Sequence, residues 1–346
     1  MAVKLEIINP ANYPGWDDLM LASPGSTFFH TSTWTRVLAE SYQYNAACFT
    51  LFDREQLLAA VPVMEIKSAL TGSRGVSLPF SDYCTPILND ESRLPEVMAS
   101  ICNHGKNAGW KYWEFRSGKN FHQNLAPCSY YYAHTLNLAR QEEEILAGFR
   151  DSTRGNIRKA VKDGVTVDLC NTWEAVNEFY RLNCLTRKRH GLPPQPRYFF
   201  KKIFDHIIAR GLGFVALAAY KNKNIAGAVY FHFGKKALCK YAASDRAYQN
   251  LRAGNLVIWQ AIRWYSQRGY ENFCFGRTDP TNQGLRQFKN GWGAREEIIN
   301  YFKYDFKKGA FSRHCLDVSS TCHKILQKMP IRLLKIIGSL AYKHIG

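Results

Sequence analysis

The feature that most constrains the fold of this chain is an order of secondary structure elements that occurs twice. Apolar patterns in the first half predict a hairpin, a third strand, a helix and another strand at 46–52 and 57–66, 75–79, 94–107 and 110–115. The second half predicts the same order at 214–220 and 225–233, 237–243, 255–268 and 270–275. A repeat at a spacing of about 160 residues indicates duplication of one α/β unit. The alternative is that any two α/β units share this order without being duplicates.

The length of 346 residues and the 46% hydrophobic content exclude a disordered chain and favour two domains. We predict the α/β (α+β) class, with two tandem units that each contain a mixed β-sheet flanked by helices. Residues 1–145 are assigned to the first unit, 146–310 to the second and 311–346 to a basic amphipathic tail. The two units are expected to join at 142–151, where a polar stretch begins a helix and does not form a flexible linker.

The charge and the cysteines limit the partners and the compartment. Lys and Arg number 46 against 28 Asp and Glu, so the net charge of +18 predicts an anionic partner such as nucleic acid, anionic lipid or a phosphorylated substrate. The ten cysteines contain no C-x-x-C pair and are expected to be isolated core residues in a reducing compartment. The sequence has no signal-like start and no apolar run of about 18 residues, which predicts a cytoplasmic protein.

Two basic segments are candidate anion sites. At 150–162, Ser152 or Thr153 is a candidate cap for a helix that places Arg154, Arg158 and Lys162 on one face, a pattern that suits phosphate. At 186–194, a run of basic residues that includes Arg187 enters a Pro-rich turn and is a candidate either to clamp an anion or to orient an acceptor amine. The alternatives are a solvated helix face for the first segment and compensation of a helix dipole for the second.

The best candidate site is a loop expected at 275–293, after the last strand of the second half. It contains Arg277, Asp279 and Lys289, and functional residues concentrate on loops held by a rigid scaffold. A merely structural connection is the alternative. A weaker signal is the turn with Arg252 and Gly254, whose backbone amides can hold a pyrophosphate at a helix N-terminus. The common phosphate-loop, dinucleotide and nucleophile-elbow motifs are absent from the sequence, and no metal site is predicted.

The order of elements in the second half resembles the acetyltransferase fold of the GNAT type. Two such units in one chain look like the Fem-type peptidoglycan aminoacyltransferases, and the resemblance covers residues 5 to 306. It is carried by five short motifs at 29–34, 79–83, 153–160, 275–277 and 288–293. That family transfers an amino acid from aminoacyl-tRNA to an amine of a peptidoglycan precursor.

The resemblance also implies roles for single residues. Lys289 matches a lysine that stabilises negative charge during acyl transfer, and Tyr241 lies where a tyrosine contacts the precursor. Trp34, in the motif at 29–34, is assigned to substrate binding together with Arg154, Arg158, Arg187 and Arg277. Acyl transfer to an amine needs a base, for which Asp82 and Asp279 are both candidates. No tightly bound cofactor is implied, and the donor is aminoacyl-tRNA or acyl-CoA.

Two departures from the family pattern bear on the acceptor. An arginine of the family falls on Pro194 or Gln195, where Arg187, Arg189 or Arg197 is the possible substitute. The coiled-coil arm of some members is also absent from the sequence. Both departures point away from a standard peptidoglycan precursor.

We therefore predict an enzyme that forms an amide on an amine of a cell-envelope precursor, either peptidoglycan or polysaccharide. One alternative is an acyl-CoA-dependent N-acyltransferase that acts on a sugar or exopolysaccharide precursor and uses the turn at Arg252 and Gly254. Another is a non-catalytic scaffold that binds RNA or membrane through its charge.

The C-terminal tail is predicted to be a basic amphipathic helix. Lys328, Arg332, Lys335 and Lys343 approximate one face, and Leu333, Ile336, Ile337 and Leu340 approximate the other. Such a helix binds an anionic membrane surface, which fits a lipid-linked precursor and a peripheral location at the inner face of the membrane. Packing against the body of the protein is the alternative.

Overall fold

The computed structural model describes residues 3–117, 125–313 and 320–345. Its strands, numbered in chain order, are β1 (Lys4–Ile8), β2 (Asn45–Asp53), β3 (Gln56–Ile66), β4 (Arg74–Val76), β5 (Ile87–Leu88), β6 (Tyr112–Ser117), β7 (Ser129–Asn137), β8 (Thr166–Cys170), β9 (Gly213–Tyr220), β10 (Lys223–Phe233), β11 (Lys236–Ser244), β12 (Asn272–Thr278), β13 (Arg295–Asp305) and β14 (Ala310–Ser312).

The helices are α1 (Trp16–Ala22), α2 (Ser32–Tyr42), α3 (Leu94–Asn107), α4 (Glu142–Ala147), α5 (Asp151–Lys162), α6 (Trp173–Arg189), α7 (Arg197–Ile203), α8 (Ala253–Ser266), α9 (Gln283–Asn290), α10 (Ser320–Lys328) and α11 (Ile331–Ile345). Short 3₁₀ turns lie at Pro10–Asn12, Phe28–His30, Glu91–Arg93 and Arg246–Leu251, and α7 continues into a π-helical turn at Phe204–Ile208.

Both predicted hairpins and both predicted central helices are present. The third strand of the first half is shorter than predicted, because Leu78 has a left-handed φ of 38° that extended backbone does not adopt. The sequence analysis did not predict β7 or β13. The prediction that 275–293 forms one continuous loop is wrong, because this segment contains the end of β12 and all of α9.

The chain divides into two compact units. The first comprises the described residues within 1–131, 298–317 and 341–346, and the second those within 132–297 and 318–340. The chain passes from one unit to the other inside β7, inside β13, after residue 317 and inside α11. The units are therefore interleaved along the sequence, and the boundaries predicted at 145/146 and 310/311 stay a prediction about domains.

The two units have the same strand order. In the first unit, β1, β2, β3, β4, β6 and β13 are neighbours in that order, and the pair β4–β6 is parallel while the others are antiparallel. In the second unit, the order is β8, β9, β10, β11, β12 and β7, and the pair β11–β12 is parallel. In each sheet a helix, α3 or α8, connects the two parallel strands, as parallel pairing requires.

Each unit also has its own hydrophobic core. The first core contains Phe49, Val61, Ile101, Trp113 and Phe115, and the second contains Phe149, Ile157, Ile262, Phe273 and Trp292. These side chains come from the inward faces of the strands and from the apolar stripes of α3, α5 and α8. The predicted helical stretch at 142–151 is described as α4 and the start of α5.

The predicted C-terminal helix consists of two helices, α10 and α11, that are separated at Met329 and Pro330. Pro330 interrupts the predicted helix because its nitrogen cannot donate a hydrogen bond to the preceding turn. Residues 314–319, which begin the predicted tail, lie outside the described residues.

The expectation that all cysteines are isolated is wrong for Cys128, which is disulfide-bonded. The other cysteines whose side chains are described are free, and Cys48, Cys84, Cys184 and Cys239 are buried as predicted. Cys315 and the side chain of Cys322 lie outside the described residues.

Candidate active site

The two parallel strands of the second unit pair along only part of their length. Their ladder joins Lys236–Leu238 of β11 to Asn272–Cys274 of β12. Beyond it, β11 continues to Ser244 beside β10, and β12 continues to Thr278 beside β7. Two parallel strands that stop pairing in this way leave an opening at their carboxyl ends, which is where α/β sheets bind ligands.

A bulge in β12 lies at the start of this opening. The register between β12 and β7 shifts between Cys274 and Arg277, and Gly276 has a φ of 71°. This left-handed conformation is costly for residues with a Cβ atom, so a glycine here permits the bulge. The shift removes part of the regular ladder and leaves carbonyl oxygens of the bulge available to a side chain.

Lys289 occupies this position. It lies in the last turn of α9. The helix is capped by Asn282, whose side chain accepts a hydrogen bond from the backbone N–H of Leu285. Its Nζ donates to the carbonyl oxygens of Gly276 at 2.8 Å and of Arg277 at 3.0 Å, and the residue is only 5% exposed. The side chain therefore does not extend past Trp292 to solvent, and a role in transfer stays a prediction.

A partly buried polar network formed by residues of β7, β13 and α9 lies beside this lysine. His134 Nε2 lies 3.1 Å from Glu296 Oε2, and Glu296 accepts two hydrogen bonds from Arg286, at 2.7 and 2.6 Å. Burial and the positive charge of Lys289 hold the pKa of His134 below its usual range. The hydrogen bonds from Arg286 lower the pKa of Glu296, so that carboxylate stays ionised.

The segment after α9 connects this network to the start of α5. The ring of Trp292 is completely buried and lies 5.0 Å from the ring of Phe149. The carbonyl oxygen of Gly291 accepts a hydrogen bond from the backbone N–H of Arg150 at 2.9 Å. A Cβ at position 291 would lie 2.7 Å from Thr153 Oγ1. A glycine at 291 therefore allows α5 to approach the end of α9 closely.

The two arginines predicted to bind phosphate differ in their surroundings. Arg154 donates to the carbonyl oxygen of Ala147 at 2.9 Å and forms an ion pair with Asp151. Arg158 is exposed, one turn further along α5. The predicted caps are wrong, because α5 begins at Asp151 and both Ser152 and Thr153 lie inside its first turn. Phosphate binding by the arginines stays a prediction.

Tyr241 lies on β11 and Arg277 on β12, beyond the positions where these two strands pair with each other. The Tyr241 ring is half-buried against Phe200 at 5.6 Å and Phe179 at 6.5 Å. The side chain of Arg277 is exposed. Substrate binding by Tyr241 and Arg277 stays a prediction.

Two other predicted residues have identifiable local partners, and two more lie at the start of α8. Arg187 Nε donates to the carbonyl oxygen of Pro193 at 3.2 Å and thereby holds the Pro-rich turn. Asp279 Oδ1 accepts hydrogen bonds from the backbone N–H and the hydroxyl of Thr281, at 2.9 and 2.6 Å, which is an Asx turn. Arg252 precedes α8 in a left-handed conformation, and a Cβ at Gly254 would meet nothing within 4 Å.

Trp34 and Asp82 belong to the first unit. Trp34 is completely buried, and its Nε1 donates to Ser81 Oγ at 3.0 Å. The ring packs against Phe28 and Phe29, and its contact with substrate stays a prediction. The carbonyl oxygen of Asp82 accepts a hydrogen bond from the Tyr301 hydroxyl at 2.6 Å, and its role as a base stays a prediction.

Comparison with known proteins identifies the second unit. Residues 147–291 match the family described as the acetyltransferase (GNAT) domain. The second unit therefore contains a GNAT-type domain, and the match supports an acyltransferase. This match includes α5, the diverging strands and Lys289, and it confirms the enzyme class that the sequence predicted. None of the curated proteins matches the chain.

Solved structures share the fold of nearly the whole chain. A FemX crystal structure is 14% identical, with a TM-score of 0.67, and covers 88% of this chain and 97% of its own. A tandem GNAT protein from the clavulanic acid biosynthesis pathway is 10% identical, with a TM-score of 0.57 and coverages of 88% and 99%. L-PGS from Bacillus licheniformis is 12% identical, with a TM-score of 0.51 and coverages of 95% and 99%. The predicted fold of two tandem GNAT-like units is confirmed.

The network of His134 and Glu296 was missed from the sequence. The signal that was available is a histidine at an inward position of an alternating segment, Ala133-His134-Thr135-Leu136, but this segment was not recognised as a strand. Within the described ranges, no group of His, Cys, Asp and Glu forms a metal cluster. None of the described helices is both long and apolar enough to cross a membrane.

Proposed function

We propose that the protein transfers an acyl or aminoacyl group to an amine of a cell-envelope precursor and forms an amide. The observation that carries the proposal is the buried ammonium of Lys289, held at the bulge of β12 where the parallel strands of a GNAT domain separate. The acyltransferase class comes from the family match, and the cell-envelope acceptor is supported by the names of the similar structures, FemX and L-PGS.

The chemistry needs a positive charge at this place. Attack of an amine on an acyl carbonyl forms a tetrahedral oxyanion, which a positioned ammonium stabilises most strongly where water is excluded. Lys289 is held by two carbonyl oxygens and is almost inaccessible to water, so its charge has a defined position. In this proposal the side chains that bind substrate through hydrogen bonds or charge are those of Tyr241, Arg277, Arg154 and Arg158.

The donor in this proposal is an aminoacyl-tRNA. The net charge of +18 and the exposed basic residues of α5 support a polyanionic donor. An acyl-CoA donor is the second candidate, favoured by the open space at Gly254 in the first turn of α8, where backbone N–H groups can bind a pyrophosphate.

The experiment incubates the full chain with charged tRNA or with acetyl-CoA, each together with a cell-envelope precursor extract, and detects the added mass on the acceptor. Replacing Lys289 by Ala should lower turnover roughly 10²–10³-fold, as loss of one oxyanion donor does. Lys289→Arg should restore little, because the planar guanidinium displaces the charge. Lys111→Ala is the matched control, since Lys111 Nζ also donates to a backbone carbonyl, that of Thr71, but lies in the first unit.

A Lys289→Ala protein that is folded and retains at least half of the wild-type turnover would contradict the role of this ammonium. Transfer from acetyl-CoA without transfer from charged tRNA would replace the first donor by the second. No transfer with either donor would contradict the proposed function itself.

We further propose that α11 places the enzyme on an anionic membrane surface, where a lipid-linked acceptor is found. Leu333, Ile336 and Leu340 recur every three or four residues along α11 and are 49%, 56% and 61% exposed. Arg332 and Lys335 lie beside them, and the sequence from residue 320 to the end contains no Asp or Glu. This combination of an apolar stripe and positive charge fits an interfacial helix.

The opposite face of α11 packs against the second unit. Leu334 is completely buried, and a Cβ at Gly338 would lie 2.0 Å from the carbonyl oxygen of Pro194. This contact fixes the helix by one face and leaves the apolar stripe available to lipid. Packing on the body and membrane binding are therefore compatible properties of the same helix.

Vesicle flotation tests the membrane proposal. The triple variant Leu333→Ser/Ile336→Ser/Leu340→Ser should float with anionic vesicles much less than the wild type, whereas Leu21→Ser/Leu70→Ser should float like it. The control residues are also apolar and exposed, at 52% and 78%, but belong to the first unit. Equal flotation of the wild type and the triple variant would contradict the proposal.

A further inference from the structure

A histidine that has no role in the transfer described above lies beside Lys289. His134 is completely buried on β7, at the position opposite the bulge of β12. Its neighbours Ala133 and Thr135 pair with Arg277 and Cys274, and the bulge lies between those two partners. The residue is therefore fixed next to the carbonyl oxygens that hold the ammonium.

The hydrogen bonds of Glu296 determine which ring nitrogen of His134 carries the proton. Glu296 accepts from Arg286 through both oxygens and from Asn290 at 3.3 Å, and its lowered pKa keeps it ionised. An ionised carboxylate can only accept hydrogen bonds. The nitrogen 3.1 Å from it, Nε2, must therefore be the donor, and Nδ1 of the neutral ring carries the lone pair.

That lone pair has no hydrogen-bond partner among the described residues, although Nδ1 is buried. The hydroxyl of Thr278 is in the same condition. Thr278 pairs with Tyr132, and His134 is two residues further along β7, so both side chains lie on one face of the sheet. Buried polar atoms without partners are rare and are often found where a reaction needs them.

We propose that His134 accepts the proton of the attacking amine during acyl transfer and that Glu296 holds it in the accepting tautomer. This inference rests on the proposed function and assigns the base of that reaction. Asp279 is less suited, because its carboxylate already holds the turn with Thr281.

The reaction balances without another reactant. The amine nitrogen attacks the acyl carbon and forms the C–N bond, and its proton passes to Nδ1 of His134. The tetrahedral intermediate collapses with cleavage of the C–O bond of an ester donor or the C–S bond of a thioester donor. The proton then passes from Nδ1 to the departing oxygen or sulfur, which restores the neutral imidazole.

The charged groups around the ring suit both proton transfers. Lys289, Arg286 and Glu296 are the charged groups that act on His134. Burial and the Lys289 ammonium lower its pKa, so the ring is neutral and able to accept a proton at neutral pH. After the proton has been accepted, Glu296 stabilises the imidazolium while the ammonium favours its return to the leaving group.

The test compares the pH dependence of kcat for the wild type and for His134→Gln in the full chain. The wild type should lose activity as the pH falls below about 6.5, because a protonated imidazole cannot accept a proton. His134→Gln, whose amide can still bond to Glu296, should lower kcat about 10²-fold with little change in KM and should lack this acidic limb. Glu296→Gln should lower kcat as well, because it removes the charge that stabilises the imidazolium.

His232→Gln is the matched control, since His232 is also largely buried in the second unit but has a partner at each ring nitrogen, Tyr265 and Gly211. It should keep kcat within twofold and retain the acidic limb. The inference is overturned if His134→Gln has wild-type turnover, or if it loses turnover but keeps the acidic limb.

A second measurement does not depend on turnover. Nitrogen chemical shifts of ¹⁵N-histidine-labelled protein report the tautomer and the pKa of His134, assigned by its loss in His134→Gln. A neutral ring with the proton on Nε2 supports the inference, and a proton on Nδ1 overturns it. Absence of transfer by the wild type with every donor contradicts the proposed function, and the tautomer then still decides whether His134 can accept a proton.

Discussion

The parallel strand pairs of the two units occupy the same place in their sheets, but different side chains surround them. In the first unit, β4 and β6 lie against aromatic rings, and a Cβ at Gly75 would lie 2.4 Å from Cζ3 of Trp110. In the second unit, β11 and β12 separate after three paired positions, and a buried lysine binds the bulge that follows. The same topology therefore supports a packed core in one unit and a candidate active site in the other.

The helices α3 and α8, which connect these strand pairs, differ in the charge of their first turns. The first turn of α3 contains Glu96 and follows the 3₁₀ turn that begins at Glu91, whereas the first turn of α8 contains no acidic residue. A helix N-terminus attracts anions, and acidic side chains there compete with a phosphate. The comparison indicates that only the second unit keeps this end of the helix suited to a phosphate-bearing donor.

The largest effect is expected on stability, when a large buried ring is removed from one core at a time. Trp292→Ala and Trp113→Ala each remove a completely buried ring, and each should lower the free energy of unfolding by about 3–5 kcal/mol. Urea unfolding followed separately in the two variants measures this loss. If the two cores are energetically separate, each variant should give an additional early transition. A single shifted transition in both variants would show that the units unfold together and would weaken the comparison.

A smaller effect concerns the helix ends. Gly254→Asp introduces into α8 the kind of charge that α3 carries, and it should raise the KM for a phosphate-bearing donor roughly five- to tenfold. The mirror variant, Glu96→Gln in the first unit, should change KM less than twofold. An unchanged KM in Gly254→Asp would show that the donor does not bind at this end of α8.

The pH dependence of stability should distinguish the histidines of the second unit. Burial lowers the pKa of both His134 and His232 from 6.5, so the folded state binds a proton less readily than the unfolded state. Their contribution to stability is complete above pH 6.5 and is lost as the pH falls through the lowered values. The melting temperature should therefore fall on acidification below about pH 6.5. The melting temperature of the double variant His134→Gln/His232→Gln should fall less than that of the wild type between pH 7.5 and 5.5. An equal fall would contradict the assignment of this pH dependence to the two histidines.

The smallest effect is expected at the surface of α5. Asp151 is 92% exposed and pairs with Arg154, so Asp151→Asn should change the free energy of unfolding by less than about 0.5 kcal/mol. The same variant frees the guanidinium and should not weaken donor binding. A marked loss of stability would mean that this ion pair contributes to the packing of α5 on the end of α9.

Local patterns predicted much of the fold because they depend on neighbours in sequence. The helix at 94–107 was predicted with the bounds it has as α3. The bulge and α9 were not predicted. The segment is rich in Gly, Asn and Gln, and the helical spacing of Leu285 and Phe288 was not recognised within it. Once folded, α9 is also held by Asn282 and by the hydrogen bonds of Lys289 to β12.

The sequence by itself determined the repeated strand–helix order, because that order follows from periodicity. The resemblance carried by its short motifs predicted the GNAT-like fold, and the role of the segment that contains Lys289 stays a prediction. Only the tertiary structure decided that β7 belongs with the second sheet and that His134 lies opposite the bulge beside Glu296. These residues are 162 positions apart in the chain. Their contact depends on which strands pair and in which register, and that choice is made by burial of whole sheet faces, which local sequence does not encode.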